Sequence, residues 1–132
     1  MNKVIVDTHI FVWDILGSSR LSDRMIEIMD DCSDSLYLSS ITLWEVGMLV
    51  GKQKLNLNVS VDRFCNVGLK KRKYEILPIT PQIAQIVSQY ANAINKDPAD
   101  RIIAATTMVH NATLLTEDNN LKGFDFLKTS YP

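Results

Sequence analysis

Four carboxylates, Asp7, Glu45, Asp100 and Asp118, stand far apart along the chain, yet each falls where an apolar strand run ends or the following helix begins. Side chains at the carboxyl ends of parallel strands in an open α/β sheet share one crevice, so acids distant in sequence can converge there. Converging acids repel one another unless cations neutralise them. Carboxylate and water ligands suit magnesium or manganese, so the pattern points to a divalent-metal site for phosphate-ester chemistry.

Each acid also has a structural reading. Asp7 follows Val4-Ile5-Val6 and precedes a helix, where it serves either as a helix cap or as a ligand at the sheet's carboxyl edge. Glu45, in the first turns of its helix, complements the helix dipole. Its neighbours Leu43, Trp44 and Val46 are apolar, so a Glu45 facing inward needs a partner, and a cation is one. In Asp97-Pro98-Ala99-Asp100 the natural N-cap is Asp97, which leaves Asp100, the third helical residue, for chemistry. In Leu114-Leu115-Thr116-Glu117-Asp118, strand alternation puts Thr116 and Asp118 on one side and Glu117 on the other. Asp118 is therefore the ligand candidate, with Thr116 placed to support it by a hydrogen bond.

The elements that must position these residues are legible from periodicity. Lys3-Val4-Ile5-Val6 reads as a central parallel strand buried on both faces, with Leu36-Tyr37-Leu38, Glu75–Leu77, Ala112–Thr116 and Phe126-Leu127 as further strands. Helices are expected over Ile10–Leu16, from about Ser22 to Ser35, from the Ser39, Ser40 and Thr42 hydroxyls to Gly51, and over Val61–Lys71. Thr80-Pro81 and Asp97-Pro98 each start another, the first running to about Ile94 and the second to His110-Asn111. Strands alternating with helices predict an α/β fold with a parallel sheet between helical layers. With 132 residues, 46% of them hydrophobic, and no repeat or linker, residues 1–132 are expected to form a single domain.

At this point the residues resemble a known family. Val4-Ile5-Val6-Asp7-Thr8-His9, Leu38 to Val46 with the core Leu43-Trp44-Glu45, Asp97 to Ala105 and Leu114 to Asp118 look like the successive motifs of PIN-domain ribonucleases, and more narrowly of VapC-type toxins. The match runs in order over almost the whole chain. It implies a three-layer α/β/α sandwich around a mainly parallel sheet, and an endoribonuclease using one or two Mg2+ or Mn2+ ions. In that family the acids matching Asp7, Glu45, Asp100 and Asp118 form the metal site, with hydroxyls like Thr8, Ser39, Ser40 and Thr116 supporting it. The resemblance further implies an RNA substrate, a homodimer and a small antitoxin partner. Ala99, where an aromatic residue is common, and Asn95-Lys96, where the family often has a histidine, depart from the pattern.

A net charge of −1 is unusual for a protein that grips RNA. Setting the four site acids aside leaves 11 acidic residues against 14 basic ones, so the remaining surface is +3. The basic run Lys70-Lys71-Arg72-Lys73 reads as a solvated helix end or as an RNA-backbone contact, and Arg101, Lys52 and Lys54 are comparable phosphate candidates. Cys32 and Cys65 lack metal-ligand spacing and read as reduced, partly buried thiols. His9 and His110, the only histidines, do not stand at metal-binding spacing, which argues against a zinc site or a histidine-based ribonuclease mechanism. His9 reads as packing, capping or substrate contact, and His110 as meeting carbonyls at a helix end. Trp13 and Trp44 read as core, with Trp13 a second candidate for a partner surface. No apolar run approaches the ~18 residues of a membrane helix, which predicts a cytoplasmic protein. Two rival classes stay open. One is a phosphoaspartate-forming phosphatase or receiver domain, although Thr8 and His9 stand where it would need further acids; the other is a PIN-like housekeeping nuclease or non-catalytic RNA-binding module.

Overall fold

A computed structural model describes residues 3–90, 97–117 and 128–130. Its elements run β1 (Val4–Val6), α1 (Thr8–Leu16), α2 (Asp23–Asp31), β2 (Leu36–Ser39), α3 (Ser40–Gly51), α4 (Val61–Lys71), β3 (Glu75–Leu77), α5 (Pro81–Tyr90), α6 (Pro98–Val109), β4 (Thr113–Leu115) and β5 (Lys128–Ser130). All strand pairings are parallel, in the order β3-β2-β1-β4-β5. From the central β1 the chain builds first toward β2 and β3, then crosses to β4 and β5. The switch point therefore lies between β1 and β4, where open parallel sheets place their ligands.

The pleat explains the three layers. Val4, Val6, Leu36, Leu38 and Leu115 face a core shared with Phe11 and Val12 of α1, Met25 and Met29 of α2, and Phe64 of α4. The alternate residues Ile5 and Leu114 face a second core with Ile103 and Ala104 of α6. Helices α1 and α4 pack closely at Gly68: a β-carbon there would run into Ile15 and stand 3.0 Å from Phe11 Cζ. The α1 helix ends on Gly17, whose left-handed φ of 63° suits a residue without a side chain.

Several boundaries differ from expectation for local reasons. Helix α1 starts at Thr8 because Asp7 is its N-cap. Helix α2 ends at Asp31, short of Ser35: Asp30 and Asp31 crowd negative charge onto the negative end of the helix dipole. The last strand lies at Lys128–Ser130, while the expected Phe126-Leu127 run and the continuation of α5 to Ile94 fall outside the described residues. Trp44 corrects the core assignment, being 49% exposed. On α3 the buried residues are Thr42, Glu45 and Val46, and at about 100° per residue Trp44 projects roughly 200° away from Thr42. His110 caps α6, its backbone N–H donating to the Thr106 carbonyl at 3.1 Å, while its ring Nδ1 stands 3.2 Å from Lys3 Nζ. Cys32 and Cys65 are free thiols, half-buried and buried.

Candidate active site at the sheet switch point

Asp7 stands at the end of β1, beside the switch point. It is 3% exposed. Its backbone N–H donates to Leu115 O of the neighbouring strand at 3.1 Å. Its carboxylate is divided between two supports: Oδ1 accepts the Ile10 N–H at 3.0 Å and so caps α1, while Oδ2 accepts the hydroxyl of Thr116, just beyond β4. The capping reading of Asp7 is met, and its second oxygen is held by the neighbouring strand end. One oxygen fixes the carboxylate against α1 and the other ties it to the adjacent strand end, which orients a buried negative charge at the crevice.

Glu45 arrives from the next junction. Ser39 ends β2 and caps α3, accepting the Ile41 N–H at 3.3 Å, and Ser40 is the first helical residue. This start turns Thr42 and Glu45 inward on successive turns. Thr42 and Thr8 hydroxyl oxygens lie 3.1 Å apart, both buried, and Thr8 also hydrogen-bonds Glu45. Burial pushes the Glu45 carboxyl above its ordinary value; the Thr8 bond pulls it back, the charges of Asp97 and Asp7 raise it, and His9 lowers it. That balance describes an acid held among other acids. Thr42, read from sequence only as a cap, is a buried link between α1 and α3. Its signal was its position three residues before Glu45 on one helix face.

The α6 junction supplies Asp97 and Asp100. Asp97 is the N-cap as expected, its Oδ1 accepting Ala99 and Asp100 N–H groups at 2.9 and 3.2 Å. It is also near enough to Glu45 to act on its charge, a contribution the capping role alone did not suggest. Asp100 lies half-buried in the first turn, with Arg101 half-buried beside it. Asp118 lies outside the described residues. Among the described residues, no three acidic, histidine or cysteine side chains stand close enough to form a complete metal cage. The donors that do gather, Asp7 and Glu45 with hydroxyl support, are hard oxygen ligands of net negative charge, which suits a hard divalent cation.

The basic candidates divide. Arg72 is withdrawn as an RNA contact: Nε and Nη2 donate to Asp14 Oδ2 and Oδ1 at 2.8 and 3.0 Å, and Nη1 donates to Asp30 at 2.7 Å. Asp14 is buried, flanked by Val12, Trp13, Ile15 and Leu16 of α1, so it recruits Arg72 from the end of α4. Burial works against the guanidinium charge, but the bonds to Asp14 and Asp30 hold its pKa raised. Lys71 assists, donating to Asp14 O at 2.7 Å. Lys52, Lys54, Lys70 and Lys73 are exposed, and Lys54 shares a cavity with His9 and Trp13.

The PIN domain family matches residues 4–127. Ribonuclease VapC22 of Mycobacterium tuberculosis is 26% identical over 122 residues, covering 92% of each chain. Among solved structures, the chain is similar to VapBC2 from Rickettsia felis bound to a DNA fragment from its promoter, with a TM-score of 0.69, 20% identity and 96% of both chains covered. It is also similar to a toxin–antitoxin complex from Klebsiella pneumoniae, with a TM-score of 0.63, 22% identity and 98% of both chains covered.

Proposed function

The chain belongs to the PIN domain family, and on that premise we propose that it is a metal-dependent endoribonuclease, the toxin of a toxin–antitoxin pair. The observation that carries the reading is the doubly supported Asp7 carboxylate beside Glu45, which lies at the switch point of a parallel sheet. Asp7, Glu45, Asp100 and Asp118 hold one or two Mg2+ or Mn2+ ions. Bound there, such an ion lowers the pKa of a water and offsets charge building on the scissile phosphate. The chain's own part is to fix the donors. Thr116 and the α1 N-terminus set the Asp7 oxygens, Thr8 and Thr42 brace Glu45, and Asp97 sets the start of α6 so that Asp100 enters from the third junction. Ser39 and Ser40 support the start of α3, and Lys52, Lys54, Lys70, Lys73 and Arg101 are available to the RNA backbone.

The name of the relative, ribonuclease, supports the reaction, and the toxin–antitoxin complex among the similar structures supports the partner. Apolar side chains of an antitoxin helix can seat in the cavity of about 280 Å3 lined by Ile15, Leu16, Leu57, Val59, Phe64 and Val67, with Asn56, Asn58 and Arg63 completing its wall. The protein acts in the cytoplasm as a homodimer. Among the described residues no helix is long and apolar enough to cross a membrane, and exposed Trp44, Ile76 and Ile79 offer surface for self-association.

The test is to incubate purified protein with total cellular RNA and map new ends with and without EDTA. Cleavage is expected with Mg2+ or Mn2+, leaving 5′-phosphate and 3′-hydroxyl ends, and is expected to collapse in Asp7→Asn and Asp100→Asn. Cyclic 2′,3′-phosphate ends, or wild-type rates in both variants, reject the proposed site.

A further inference from the structure

Helix α1 leaves the site at Asp7 and carries His9 and Trp13 on one face, four residues apart, with ring centroids 5.8 Å apart and planes tilted by 50°. His9 is exposed and Trp13 half-buried, so both rings present part of their surface to solvent. Both line a cavity of about 420 Å3 together with Val12, Leu16, Leu49 and Leu55 and the exposed cations Arg20 and Lys54. None of the described residues lining it is acidic. Its size falls within the ~300 to 1,000 Å3 of small-molecule sites. His9 stands two residues from Asp7 and close enough to Glu45 to act on its charge, so the His9 end of the cavity lies near the catalytic acids. It then extends along α1 by about 6 Å from His9 to Trp13, at the helix rise of about 1.5 Å per residue.

We infer that this cavity is a nucleobase subsite: one base of a single-stranded RNA, next to the cleaved phosphate, stacks on His9 and Trp13 while Arg20 and Lys54 hold the adjoining phosphate. The inference rests on the ribonuclease reading and names how that site grips its substrate. Aromatic rings that stack bases beside cations that track the backbone are the means by which proteins hold single strands. Val12, Leu16, Leu49 and Leu55 give the cavity apolar walls, and its two cations with no acid among the described lining residues favour a nucleotide over an apolar helix.

The chain holds two tryptophans, so in a Trp44→Phe background the emission comes from Trp13 alone. The probe is a short mixed-sequence RNA, with EDTA present to prevent turnover, compared with an oligonucleotide of equal length bearing abasic positions. The RNA is expected to quench Trp13 and the abasic strand to leave it bright while binding on the order of tenfold more weakly. In steady-state cleavage with metal, His9→Ala and Trp13→Leu are expected to raise KM by a similar factor with little change in kcat, and Trp13→Tyr to restore it. His9 is exposed, so its variant stays informative should Trp13→Leu fail to fold. Equal binding of both strands, an unquenched Trp13, or an unchanged KM in His9→Ala overturns the subsite while leaving the nuclease intact. Quenching by a co-expressed protein partner but not by RNA also overturns it, in favour of a protein interface. Base-dependent quenching without metal-dependent cleavage supports the subsite and defeats the nuclease reading.

Discussion

Thr116→Val tests whether the Asp7 carboxylate owes its function to its support across the switch point. Valine keeps the volume of threonine and removes only the hydroxyl, so packing is nearly preserved while Asp7 Oδ2 loses its donor. Thr116 is 0% and Asp7 3% exposed, so bulk water has little access to replace the bond. A hydrogen bond to a charged group contributes about 1.5 to 3 kcal/mol. The Ile10 N–H still holds Oδ1, so the lower half of that range is expected, a fall in Tm on the order of 5 °C for a domain of this size. The same hydroxyl orients a metal ligand, and losing such support typically weakens metal affinity about 10- to 100-fold. Thermal unfolding across a Mn2+ titration reads both effects in one experiment: a lower Tm without metal, and a midpoint shifted to higher Mn2+. Thr116→Ser, which retains the hydroxyl, is expected to recover the midpoint although it loses a buried methyl. A Thr116→Val protein with the wild-type Mn2+ midpoint refutes the claim that Asp7 is a ligand positioned by Thr116, whatever its Tm.

Glu45→Gln is expected to abolish cleavage yet raise stability without metal. The folded carboxyl titrates above its unfolded value of 4.5, so ionising it costs stability. That cost grows as pH rises from the unfolded pKa through the folded one and remains above it. The variant's advantage should be full near pH 8 and gone well below pH 4.5; an advantage independent of pH contradicts the sign. Arg72→Met is expected to destabilise by about 2 to 4 kcal/mol in urea unfolding, because it strands the buried Asp14 with only Lys71 beside it. A double variant with Asp14→Leu should recover most of the loss, and equal losses in single and double variants count against the pair. Asp97→Asn should leave stability within about 0.5 kcal/mol, since asparagine caps as well as aspartate. A larger loss in thermal unfolding shows that its charge, not its cap, holds the α6 junction.

The junctions that carry Asp7, Glu45 and Asp100 were legible because each is set locally. An apolar β-branched run followed by Asp7, hydroxyls before Glu45, and Asp97-Pro98 before Asp100 each declare a strand end or helix start within a few residues. The sheet order follows from where those junctions must meet. What the sequence concealed was the sidedness of apolar segments. Helix α3 carries Leu43, Trp44, Val46 and Met48 with no polar stripe to mark its outer face, so nothing local shows that Trp44 turns outward and Glu45 inward.

The Asp14 and Arg72 pair was hidden for a different reason. Its members are 58 residues apart and meet because α1 and α4 pack at Gly68. A basic run read alone looks solvated, yet a lone aspartate inside Thr8–Leu16 already required a cation from somewhere. The electrostatics of Glu45 have the same origin, since Thr8, Asp97 and His9 reach it from two other junctions. Composition along one segment can therefore nominate the ligands. Their charge state is a property of three junctions closing on one another, and substitutions at Thr8 or Asp97 should perturb the site through that field even though neither residue is needed as a ligand.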